Sequence, residues 1–148
     1  MLTADKQLKI IDNGGAMKTC INFRVRYQET DKMGIVHHSV YYIWFEAGRT
    51  EWMRQLGLTY RECEAKGWLL PLVENGAKYL SPAYYDDLVE VETELIPDEG
   101  VGFYFSYRVT NIETKKLLAT GFTKHVCIDH NHRINRTATK YLKEFLKK

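Results

Sequence analysis

What this 148-residue chain has little of narrows the field first. It holds only three cysteines, Cys20, Cys63 and Cys127. An odd, widely spaced set argues against a disulfide framework and fits a reducing compartment. No apolar run approaches the roughly 20 residues that a membrane-crossing helix needs. The formal net charge is only +2, too small a surplus to point to nucleic acid, although it would not repel an anionic ligand. Met1 to Ala16 contains no continuous apolar core, so no secretory signal is read there and a cytoplasmic protein is expected. There is no internal repeat and no low-complexity segment.

What is present is a folding domain. Apolar residues make up 45% of the chain, enough for one packed core at this length. The cluster Asp12-Asn13-Gly14-Gly15 reads as a flexible turn. Met17-Lys18-Thr19 then opens a clean strand pattern. Residues 1–16 are therefore expected to be a disordered or extraneous extension, and residues 17–148 a single domain.

Alternation of apolar and polar residues predicts a strand over 21–27, with Ile21, Phe23, Val25 and Tyr27 facing inward. By that pattern Tyr27 is most simply a core residue. Residues 28–37 read as a loop. A helix is predicted from Ser39 to Leu56, with Ser39 or His38 near its N-cap and Gly57 as its stop. Its first half, Val40 to Phe45, is apolar all round, which predicts burial on most sides. Glu46, Thr50 and Arg54 form a polar stripe on the second half. A short helix over 59–65 follows. Strands are then predicted over 69–78, 89–95, 103–110 and 117–128, with turns at Pro97-Asp98-Glu99-Gly100 and Asn111-Ile112-Glu113-Thr114. A final amphipathic helix over 137–146 turns Tyr141, Leu142, Phe145 and Leu146 inward. Strand, long helix, short helix, then an antiparallel meander gives an α+β domain with the helix on one face of the sheet.

The chemistry-bearing stretch is 31–49, Asp-Lys-Met-Gly-Ile-Val-His-His-Ser-Val-Tyr-Tyr-Ile-Trp-Phe-Glu-Ala-Gly-Arg. A carboxylate, Asp31, and a turn glycine, Gly34, precede the aromatic-rich helix. Helix N-termini present unpaired N–H groups and partial positive charge. Such groups can polarise a carbonyl while Asp31 acts on it or on a water, which points to acyl-group chemistry. A solvated loop carboxylate and a polar helix cap are the plainer readings of Asp31 and His38.

The pattern Asp31-x-x-Gly34-x-Val36-x-His38-x-x-Tyr41, with Phe45-Glu46-x-x-Arg49, resembles the hot-dog-fold thioesterases of the 4-hydroxybenzoyl-CoA thioesterase and YbgC type. The segment Leu80-Ser81-Pro82-Ala83-Tyr84-Tyr85-Asp86-Asp87 before the second long strand is similar to the same family. The resemblance implies an antiparallel sheet wrapped around a long central helix, and hydrolysis of short- to medium-chain or aromatic acyl-CoA to free acid and CoA. It implies no cofactor, since coenzyme A is part of the substrate. It implies a homodimer joined edge to edge, or a dimer of dimers, with sites at the subunit interface. The family's catalytic aspartate corresponds to Asp31, its histidine at the helix start to His38, and its upstream tyrosine to Tyr27. The N–H near His38 corresponds to the oxyanion donor. Tyr27, Gly34, Val36 and Tyr41 are then candidate substrate contacts. His132-Arg133-Ile134 stands where other members carry Arg-Pro, so no coenzyme contact is carried over to that segment.

Within this reading Asp31 is either general base or nucleophile. His38 either holds the water, orients Asp31 or donates to the carbonyl. Glu46 is a rival carboxylate, read instead as an ion-pair partner of Arg49 or Arg54. Cys127-x-x-His130-x-His132 offers three candidate metal ligands and no fourth, and reads as a turn. Lys115-Lys116 and Arg133-x-x-Arg136 are either coenzyme-phosphate contacts or solvated turn residues. The competing functions are an acyl-carrier-protein thioesterase, a dehydratase or hydratase of the same fold using Glu46 with His37 or His38, and a non-catalytic acyl-CoA binding module.

Overall fold

A computed structural model describes residues 5–12, as backbone, and residues 17–147. Six antiparallel strands form one sheet in the order β1-β2-β4-β5-β6-β3. The strands are β1 (Asp5–Asp12), β2 (Met17–Arg24), β3 (Leu72–Tyr79), β4 (Leu88–Ile96), β5 (Gly102–Asn111) and β6 (Leu117–Val126). The helices are α1 (His38–Leu56), α2 (Tyr60–Ala65) and α3 (Arg136–Leu146). In the meander β4-β5-β6, Val91 lies opposite Val109 and Val109 opposite Ala119, and the β5-β6 register shifts once, between Val109 and Thr110. The α+β arrangement read from the sequence is the one observed.

The long helix lies against β2, β4 and β5. Trp44 and Phe45 are wholly buried. Trp44 stacks on Phe23 of β2 with ring centroids 6.3 Å apart, and Phe45 on Tyr107 of β5 at 4.4 Å. Burying side chains of this size is worth about 1.5–3 kcal/mol each, so this seam fixes the helix on the sheet. Gly48 allows the close approach: a Cβ there would lie 2.4 Å from Thr93 Oγ1 on β4. Ile43 departs from the expected all-round burial and is half exposed, because the sheet covers only one side of α1.

Residues 5–12 run as a sheet-edge strand paired with β2, and residues 1–4 and 13–16 lie outside the described residues. Three further expectations are corrected. The predicted strand over 21–27 ends at Arg24, and Tyr27 opens a one-turn 3-10 helix, Tyr27–Glu29. The reason is local: the Glu29 carboxylate accepts the Arg26 backbone N–H at 2.8 Å, an alternative to continuing the ladder. Tyr27 is therefore 78% exposed, packed edge-on against Tyr85 and not in the core. On α3, Leu142 is buried but Tyr141 is exposed and rests on Trp68. The strand predicted to begin at residue 69 begins at Leu72, just after Pro71, which has no N–H for the ladder.

Candidate active site

The segment between β2 and α1 is a miniature hairpin. The His37 N–H donates to the Glu29 carbonyl at 2.9 Å, and the Asp31 N–H to the Ile35 carbonyl at 2.8 Å. The tip closes where the Gly34 N–H reaches the Asp31 carbonyl at 2.9 Å. Gly34 has φ of +82°, which a residue with a side chain adopts only at a cost. The Asp31 carboxylate accepts the Met33 N–H at 2.8 Å through one oxygen. Its orientation is therefore set by its own turn.

The hairpin leads directly into α1. The N-cap is His37, one residue before the position read from the sequence. Its Nδ1 accepts the Ser39 N–H at 3.2 Å and lies 2.7 Å from the Ser39 hydroxyl. The Val40 N–H goes to the His37 carbonyl. Among the described residues the His38 N–H has no hydrogen-bond acceptor, as expected for the first turn of a helix.

An open cleft of about 460 Å³ lies over this junction, with Asp31, Val36, His38, Tyr41, Tyr79 and Leu80 among its lining residues. The structure thus brings together four of the sequence-derived candidates: Asp31, His38, Val36 and Tyr41. Gly34 shapes the turn below without lining the cleft, and Tyr27 lies away from it within this chain. Burial, aided by Tyr79, pushes the Tyr41 phenol up to about 12, so it is a neutral hydrogen-bond donor at ordinary pH. Leu80 and Tyr79 come from the end of β3, a contribution that the local motif gave no sign of.

Glu46 is exposed and forms no ion pair among the described residues. The expected partnership with Arg49 or Arg54 is not made: Arg54 pairs with Glu51, and Arg49 donates to the Tyr60 hydroxyl at 3.2 Å. Cys127 is buried, whereas His130 and His132 stand exposed on the turn beyond it. Lys115 and Lys116 are exposed at the β5-β6 turn.

Two buried polar groups escaped the sequence reading. Glu29 is only 4% exposed and meets the indole N–H of Trp44 at 3.3 Å. In the polar run Gln28-Glu29-Thr30 nothing marks it as buried. His125 on β6 lies in the core, its ring edge-on to Phe105 with centroids 6.0 Å apart. The Tyr107 hydroxyl lies 2.6 Å from Thr123 Oγ1, which lies 2.9 Å from His125 Nε2, and Nδ1 lies 3.2 Å from the Leu70 carbonyl. The chain has one consistent direction when Nδ1 carries the hydrogen and donates to Leu70. Burial, aided by Arg49, lowers the His125 imidazole to about 4.

A family model described as the thioesterase-like superfamily matches residues 25–147. The chain belongs to that superfamily. Two curated relatives agree with the assignment. The putative acyl-CoA thioesterase YneP of Bacillus subtilis is 36% identical over 71% of this chain and 75% of its own length. The acyl-CoA thioester hydrolase YbgC of Escherichia coli is 31% identical over 72% of this chain and 78% of its own. Among solved structures, a DHNA-CoA thioesterase from Staphylococcus aureus superposes with a TM-score of 0.79 at 26% identity, covering 86% of this chain and 88% of that one.

Proposed function

We propose that the cleft hydrolyses acyl-CoA thioesters, with Asp31 as the reacting carboxylate and the α1 N-terminus as the oxyanion site. The single observation that carries the reading is that Asp31 and His38 line one cleft, with the His38 N–H unclaimed at the helix tip. The thioester carbonyl oxygen would rest on that N–H, where the helix end favours developing negative charge. One such donor is worth about 3 kcal/mol of barrier. In the general-base route, Asp31 takes a proton from a water whose oxygen attacks the carbonyl carbon. The tetrahedral oxyanion collapses, the C–S bond breaks, and the proton returns to the departing thiolate. In the nucleophilic route, Asp31 attacks the carbonyl carbon, the C–S bond breaks to release the coenzyme A thiolate, and water hydrolyses the mixed anhydride to free acid and the Asp31 carboxylate, the water's proton going to the thiolate. Both need only water and thioester. The exposed His38 ring borders the same cleft and is placed to hold the water or the acyl group.

The aromatic wall of Tyr41 and Tyr79 supports short, medium or aryl acyl groups as substrates. A homodimer is part of the proposal. β3 is a terminal strand of the sheet whose outer edge pairs with no strand among the described residues, and Leu72, Val73, Tyr79 and Leu80 are exposed along it and just beyond. Such an edge invites a second copy. Among the described residues no helix is long and apolar enough to cross a membrane, and the buried cysteines fit a reducing cytoplasm.

The test is thiol release from a panel of acyl-CoAs, with the matching acyl-carrier-protein thioesters alongside, using wild type and Asp31→Asn. The asparagine keeps an oxygen for the Met33 N–H, so the turn survives. The expected result is loss of nearly all turnover with a melting temperature within a degree or two of wild type. Near-normal turnover in that variant would remove Asp31 from the chemistry.

A further inference from the structure

We infer that Glu29 is the positioning residue that fixes the reacting carboxylate relative to the helix tip. The inference rests on the reading of Asp31 given above. Glu29 holds α1 at two separate points. Its carbonyl takes the N–H of His37, immediately before the helix, at 2.9 Å. Its carboxylate takes the indole N–H of Trp44, inside the helix, at 3.3 Å. Seven residues separate the two points, about 10 Å along a helix rising 1.5 Å per residue. One attachment would leave the hairpin free to pivot about the start of the helix; two set its direction as well as its distance. Asp31 stands two residues beyond Glu29 in the same hairpin strand, so the clamp transmits directly to the carboxylate.

The chemistry of the clamp favours a positioning role over simple stabilisation. Glu29 is the only carboxylate buried below a tenth exposure among the described residues. A carboxylate taken out of water costs several kcal/mol unless its oxygens are bonded. Here Oε1 accepts the Arg26 N–H at 2.8 Å and has the Arg26 Nε at 3.5 Å, while Oε2 faces Trp44. Each group bonded to it is a donor, and a carboxylate is the side chain that can accept from two directions at once. The acid supplies directionality: Trp44 stacks on Phe23 of the sheet, and its N–H to Oε2 ties the orientation of the hairpin to that of the helix.

Glu29→Gln tests the inference. The amide keeps the size but offers one acceptor oxygen, so either Trp44 or Arg26 must face an N–H donor. The variant is assayed on butyryl-CoA and benzoyl-CoA well below its melting temperature. The expected result is a kcat lowered roughly tenfold to a hundredfold, the range that small misplacement of a reacting group produces, with KM within about twofold. Trp44→Phe, which removes the indole N–H and keeps an aromatic ring, should give a similar split. The double variant should lose no more than the worse single one. Wild-type kcat in Glu29→Gln overturns the inference, as do additive losses in the double variant or losses of kcat and KM in step with melting temperature. If Glu29→Gln does not fold, Trp44→Phe decides alone: a selective fall in kcat supports the clamp and an unchanged kcat overturns it. Asp31→Asn is run in parallel. Full activity there defeats the parent reading, whereas an inactive Asp31→Asn beside a fully active Glu29→Gln defeats only the clamp.

Discussion

The hydroxyl of Tyr79, the last residue of β3, donates a hydrogen bond to the carbonyl of His38, the first residue of α1, at 3.2 Å. Its ring also meets Tyr41 edge-on with centroids 5.2 Å apart. The sheet edge is thereby tied across the helix tip, and Tyr79 forms one wall of the cleft. Tyr79→Ala should open that wall and raise kcat/KM for bulky acyl-CoAs relative to butyryl-CoA by about tenfold, the scale of one buried methylene. Tyr79→Phe loses only the hydroxyl bond, a net of about 0.5–1.5 kcal/mol, and should keep the wild-type preference. An acyl-CoA series of increasing size, assayed on both variants, checks the contrast.

Glu46 sits on the exposed side of α1 without an ion pair among the described residues. Substitutions at such positions usually change stability by about 0.5 kcal/mol or less. Glu46→Gln should therefore leave both melting temperature and turnover near wild type. Loss of turnover at unchanged stability would instead favour proton-transfer chemistry through Glu46, as in a hydratase, and crotonyl-CoA hydration would then be the assay to run.

The buried imidazole of His125 makes stability depend on pH. In the unfolded chain it takes a proton near its ordinary value of 6.5; in the folded chain it resists until about 4. Between those values the unfolded state binds more protons, so stability falls as pH falls through that window and the loss is complete below it. The full effect is about 3 kcal/mol. His125→Asn removes this dependence whatever its cost at neutral pH. Urea unfolding at pH 7, 6 and 5 should show the stability gap between wild type and variant shrinking by about 1 kcal/mol per unit between pH 6 and 5.

The outer edge of β3 is the proposed meeting line between two copies. A lysine there resists strand-to-strand pairing, since charge on an edge is a common natural guard. Val73 is about half exposed, so Val73→Lys should fold normally. Light scattering should find wild type at two or four times the chain mass and the variant at one. A monomeric wild type would overturn the dimer.

The fold was legible because its periodicities are clean. Val89, Val91 and Thr93 alternate inward as the pattern predicts, and all three are buried. The helix appeared within one residue of its observed start. Its cap was misplaced because His37, followed by a second histidine and a serine, caps through an imidazole and not a hydroxyl. Asp31, Gly34 and His38 were legible because they lie close in sequence. Tyr79 and Leu80 were not, because the chain must travel through α1 and α2 before returning to the cleft. Glu29 was hidden for another reason. A polar residue in a polar loop looks solvated unless its donors are known, and one of them, Trp44, is fifteen residues away. Tyr27 was misread because alternation persists past Arg24, while the backbone turns to satisfy that same glutamate.

The interior placement of Cys20, Cys63 and Cys127 has a practical corollary. A chromogenic disulfide reagent added to the native protein meets no thiol at the surface, so the colour that develops during turnover reports liberated coenzyme alone. The same reagent, left in contact with a destabilised variant, would register three thiols per chain as the molecule opens, and one cuvette could follow both turnover and integrity.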